Sequence, residues 1–147
     1  MHVYEANLPH SQVRRRNAVP VDSPEKIVGY MEDSLGEAPG GDSLWVICLD
    51  KRGLAISRTR ITLGTLTGTL AHPGEAFRVA LSAKAMGIVV VRPRHSVDPA
   101  PGRADHALAA QLRAAAKIAR IRLLDQVIVA DVDCSPTCFS FRDAGLL

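Results

Sequence analysis

From Ile88 to Val91 the chain runs apolar and β-branched, Ile-Val-Val-Val, then breaks into Arg-Pro-Arg-His-Ser-Val-Asp-Pro-Ala-Pro-Gly-Arg-Ala-Asp over residues 92–105. That pattern predicts a buried strand emptying into a polar loop held by Pro93, Pro99 and Pro101. A helical period follows from Arg103 to Arg120, with Leu108, Leu112, Ala115, Ala116 and Ala119 on its buried side. Upstream, Leu44–Leu49 and Leu54–Leu63 read as strands joined by Asp50-Lys51-Arg52-Gly53, a hairpin connection with glycine where a positive φ is needed. The second run alternates Ile56, Arg58, Arg60 and Thr62 against Ser57, Thr59, Ile61 and Leu63, which suits a position toward a sheet edge. Glu75 to Met86 is expected as a helix with Phe77, Ala80, Leu81 and Ala85 as its apolar stripe and Gly87 as its stop. Asp22-Ser23-Pro24-Glu25 opens another helix, with a side-chain oxygen at the cap, proline in the first turn and an acid at the positive dipole end, running to about Leu35. Leu123–Ala130 and Cys138–Phe141 close the pattern as strands, and residues 1–21 are expected to form an edge strand or arm with a basic linker.

Helices interleaved with strands, some joined by hairpins, predict an α/β fold: a three-layer sandwich with a mixed β-sheet flanked by helices, spanning residues 22–147. At 147 residues and 47% hydrophobic side chains the chain fits one globular domain with a proper core. Its longest apolar run falls far short of a membrane span, and the N-terminus lacks the basic-then-apolar order of a secretory signal, so the expectation is a cytoplasmic protein. Three cysteines do not make a disulfide framework: Cys48 reads as a small buried hydrophobe, and Cys134 and Cys138 read first as two thiols across a turn, with a cross-turn disulfide as the alternative. The formal charge of +3 is modest. Arg14-Arg15-Arg16 and the helical set Arg113, Lys117 and Arg120 could touch phosphates, but no aromatic residues are interleaved to stack bases, so they read first as solvated faces.

The stretch from Arg92 to Asp105, with its flanks, resembles the JAB/MPN (JAMM) metallohydrolase domain of the RadC family, whose loop reads His-Asn-His-Pro-Ser-Gly-Asp-Pro-x-Pro-Ser-x-x-Asp. Ser96, Asp98, Pro99, Pro101 and Asp105 match it. Gly64-Thr65-Leu66, His72-Pro73-Gly74-Glu75-Ala76-Phe77, Leu124-Asp125-Gln126-Val127-Ile128-Val129 and Ser140-Phe141 are similar to further family segments, in order and at family-like spacing. The resemblance implies a deaminase-like α/β sandwich. It also implies a zinc held by two histidines and an aspartate, a glutamate as general base, and peptide or isopeptide hydrolysis.

Most of that implied site has changed. The two histidine positions are Arg92 and Arg94, the serine near the metal is Gly102, the general base falls on Asp42, and the histidine after Leu-Asp is Gln126. Only Asp105 survives of the presumed ligands; Glu75 survives as well but is no zinc ligand in the family pattern. Arginine stays protonated and has no lone pair, so it repels a cation instead of ligating it. Two neutral histidines with one divalent zinc carry the same formal charge as two arginines without metal. Arg92 or Arg94 is therefore expected to pair with Asp105, or with Asp42 or Glu75, and hold the loop as the metal once did. His95 and His72 are the histidines left nearby, and His95 would need a register slip to enter the cleft.

Three functions follow. The favoured one is a RadC-like JAB domain without zinc or hydrolase activity, kept as a binding or scaffold module with a protein partner or with itself. The second is a zinc metallohydrolase with an altered ligand set. The third is an anion or nucleic-acid binder using Arg92 and Arg94. No cofactor is expected unless the second holds. RadC-type proteins are commonly labelled DNA-repair proteins, but no residue here carries a repair chemistry.

Overall fold

A computed structural model describes residues 19–35, 43–62, 73–94, 98–130 and 137–147. Six strands form one mixed sheet: β1 (Val19–Pro20), β2 (Ser43–Leu49), β3 (Leu54–Thr62), β4 (Gly87–Arg94), β5 (Arg122–Ala130) and β6 (Thr137–Ser140), in the order β1-β3-β2-β4-β5-β6. Among the described strands only β4 and β5 run parallel; every other neighbouring pair is antiparallel. The described helices are α1 (Pro24–Leu35), α2 (Pro73–Ser82) and α3 (Arg103–Ala119).

Alternation along the strands sorts the core into two layers. Leu44, Val46, Cys48, Ile88 and Val90 meet Phe77, Ala80, Leu108 and Leu112 of α2 and α3 on one face. Trp45, Ile47, Leu49, Val89, Val91, Val127 and Val129 meet Ile27 and Met31 of α1 on the other. The expected three-layer α/β sandwich is thus present. Among the described residues no helix is long and apolar enough to cross a membrane.

The turns form as their residues require. Ser23 caps α1, its Oγ accepting from Lys26 N at 3.2 Å, with Pro24 in the first turn. In the β2–β3 hairpin Asp50 Oδ1 accepts from the backbone N–H of Arg52 and Leu54 at 2.8 and 3.0 Å, and Gly53 takes φ +81°.

Three details depart from the sequence reading. Helix α2 stops at Ser82, short of Met86, because Lys84 adopts φ +56° and Ala85 N returns to Ala80 O at 2.9 Å, closing the helix while Ala85 is buried. The buried side of α2 is formed by Ala76, Phe77, Val79 and Ala80, and Leu81 lies outside that stripe at 61% exposure. Gly87 does not end the helix; it opens β4, where a Cβ would stand 3.1 Å from the Arg122 carbonyl. In β3 a register shift opposite Cys48 and Leu49 inserts Ile56 as an extra residue. Ala55 consequently faces the α1 layer while Ile61 faces α2 and α3.

Candidate functional site

Strand β4 ends in Arg92, Pro93 and Arg94. Residues two apart on a strand share a face, so both guanidiniums emerge on the α3 side, over the first helical turn. Asp105 stands there as the third residue of α3, 2% exposed at its side chain. Arg92 Nη1 donates to Asp105 Oδ1 at 3.1 Å, and Arg94 Nη2 donates to Asp105 Oδ2. Oδ2 also accepts from Gly102 N at 2.9 Å, so the same carboxylate serves the positive end of the helix. The expected pairing of one arginine with Asp105 is here made by both.

The cluster reaches into the loop. Arg94 Nη1 donates to the Ala100 carbonyl, and Ala100 N donates to Asp98 Oδ1 at 2.9 Å, so residues 98–102 are tied to the strand end. The side chains of Arg92 and Arg94 are 17% and 21% exposed, a partly dry setting in which charge-assisted hydrogen bonds are strong.

Beneath the helix turn Gln126 of β5 is fully buried, and its Nε2 donates to the Asp105 carbonyl at 3.1 Å. Among the described residues its Oε1 has no hydrogen-bond partner. One residue earlier, Asp125 points to the opposite face and organises the C-terminal turn. It accepts from Ser140 Oγ at 2.5 Å, from Gln126 N at 2.7 Å and from Arg142 N at 3.0 Å. Burial pushes its carboxyl pKa up, against the lowering effect of these donors. Sequence reasoning saw Leu124-Asp125 only as a family-like segment; nothing local announced a buried hub, because its partners lie 15 and 17 positions away.

Glu75 stands in the first turn of α2 and pairs with Arg78 at 3.5 Å instead of with Arg92 or Arg94. Gly102 is the residue preceding α3, extended at φ −94°. Asp42, His72, His95, Ser96 and Cys134 lie outside the described residues. Cys48 and Cys138 are free thiols, both shifted up in pKa chiefly by burial.

The donor set does not fit zinc. Arg92 and Arg94 offer only N–H groups where imidazole lone pairs would be needed, and both oxygens of Asp105 already accept from them. Among the described residues no group of three or more His, Cys, Asp or Glu side chains is placed to hold a metal.

A mixed sheet between helical layers, with an i, i+2 pair at a strand end facing an aspartate in the next helix, is the layout of a JAB-type α/β domain. The model of the RadC-like JAB domain matches residues 21–146, and the chain belongs to that family. It is 38% identical over 102 residues to a UPF0758 protein of Thermotoga maritima, covering 69% of this chain and 44% of the relative. A UPF0758 protein of Chlorobaculum parvum is 32% identical over 127 residues, covering 86% and 55%. One from Chlorobium luteolum is 30% identical over 147 residues, covering 99% and 62%. The chain spans about half the length of these curated relatives.

Proposed function

We propose that this chain is a cytoplasmic RadC-like JAB domain that works as a binding or scaffold module and does not carry out zinc-dependent hydrolysis. The observation that supports this most is the sharing of Asp105 between Arg92 and Arg94. Two guanidiniums supply the positive charge that a divalent ion with two neutral ligands would supply, and they supply it as fixed donors. A catalytic zinc polarises and deprotonates water through an open coordination position. Arginine has no such position, so the cluster holds the loop and activates nothing. A hydrolase with an altered ligand set would have to free Asp105 from both arginines. An anion binder would have to compete with the same carboxylate for the same guanidiniums. Both have less support than the scaffold reading.

The test is elemental analysis of protein purified without a histidine tag, offered zinc and then desalted. Zinc at background in folded protein is expected. Near-stoichiometric zinc, removed by chelator and abolished by Asp105→Ala, would overturn the reading.

A further inference from the structure

The end of the domain opposite Asp105 has a surface the site does not use. Helices α2 and α3 feed the parallel strands β4 and β5, so both helices finish at the starts of those strands, beside the β2–β3 hairpin tip. Three large apolar side chains protrude there from three places: Leu81 at 61% exposure, Met86 at 57% and Ile118 at 85%. The same end carries Lys51 and Arg52 on the hairpin, Lys84 and Arg120 just past the two helix ends, and Arg122 at the start of β5, all exposed.

The topology brings these residues to one end of the domain. Arg122 N donates to the Met86 carbonyl at 3.1 Å, and the Arg122 guanidinium lies 3.5 Å from where a Cβ on Gly53 would stand. Lys84 and Arg120 have a local reason to be basic, since cations favour helix C-termini. Lys51, Arg52 and Arg122 have none, and among the described residues none of the five forms an ion pair. The connections 50–53, 83–86 and 120–121 hold one carboxylate, Asp50, which already accepts from two backbone N–H groups.

We infer that this end is a docking surface for an acidic protein segment carrying apolar side chains. Exposed apolar anchors together with arginine match the composition of protein interfaces. A second copy meeting face to face would set five cations against five, a juxtaposition that costs several kcal/mol. Nucleic acid would leave the three apolar groups idle, and the connections offer no aromatic ring to stack a base. The inference deepens the binding-module reading and rests on it. The zinc measurement reads the opposite end of the molecule, so the two can fail separately.

The test is fluorescence anisotropy with a labelled helical peptide of about 18 residues, leucines on one face and glutamates on the other, against a scrambled peptide of the same composition. Expected is binding at least tenfold tighter for the amphipathic peptide at low salt. Ile118→Glu, and separately the Lys51→Glu, Arg52→Glu pair, should each weaken it at least tenfold while circular dichroism and melting stay native. Equal affinity for both peptides, no binding, or no loss with Ile118→Glu would overturn the inference. So would tighter binding to duplex DNA or to phosphatidylserine vesicles.

Discussion

Removing the Asp105 carboxylate would leave two guanidiniums facing each other in a partly dry site and α3 without its acidic first-turn partner. Breaking a buried charge cluster by deleting one member typically costs about 3–5 kcal/mol. Asp105→Ala is therefore expected to lower the unfolding free energy by about that much in denaturant titrations, and Asp105→Asn by less, because an amide oxygen still accepts from Gly102 N. A loss under about 0.5 kcal/mol, the usual range of a surface substitution, would mean that the arginines do not depend on this residue. Asp125 tests a different physics. Its folded pKa is raised above the ordinary carboxyl value of 3.8, so the native state holds the proton more tightly than the unfolded chain. Native stability from this group is full below 3.8 and lost as pH rises through the folded value. Asn at this position does not titrate, so Asp125→Asn should gain on the wild type across that window in paired melts at stepped pH. Asp125→Ala should cost about 1–3 kcal/mol below that window, since it strands buried donors, and less above it. The Arg92, Arg94 and Asp105 cluster was legible in the sequence through the family resemblance, which set both arginines and the aspartate at positions implied to hold zinc, and through the charge balance that follows from it. Asp125 was not, since hydrogen bonds across 15 or more positions leave no local pattern.

Secondary elements end where backbone geometry and burial agree, and two glycines show opposite demands. At Gly87 a Cβ would meet the backbone carbonyl of Arg122 at 3.1 Å, a neighbour that cannot swing away. Gly87→Ala is expected to destabilise by about 1–3 kcal/mol, the range for overpacking, and unchanged stability would show that β4 and β5 can part at no cost. At Gly102 a Cβ would stand 3.7 Å from Asp105 Oδ2, ordinary contact, on a backbone any residue can adopt. Gly102→Ser should fold normally and gain a few tenths of a kcal/mol as a helix cap, read as a shift in denaturant midpoint. The start of α1 was readable from Ser23-Pro24, whose cap chemistry is local. The end of α2 was not. A left-handed lysine is uncommon enough that Gly87 looked the better stop, and only the burial of Ala85 explains why the chain turns three residues earlier. The extra residue at Ile56 was equally hidden, since a bulge breaks the strict alternation from which strand faces are read.

Across the whole molecule the sheet separates two ends with different duties. At the C-terminal end of β4 two arginines, one aspartate and a helix start lock a loop that in the wider RadC-like family is associated with a metal. At the other end the helix termini and the hairpin tip leave apolar and basic side chains uncovered. The layered α/β architecture was legible because periodicities of two and near four alternate clearly along the chain. The central claim is that Arg92 and Arg94 hold Asp105 in place of an ion, and linkage tests it most directly. Any ligand that binds only the native state raises its stability, by about 2.7 kcal/mol at a hundredfold excess over Kd. Unfolding free energy should therefore be measured with chelator and again with zinc buffered at excess. The expected result is the same value in both. A rise of a few kcal/mol with zinc that disappears in Asp105→Ala would contradict the claim, because it would require Asp105 to release both arginines and take the metal.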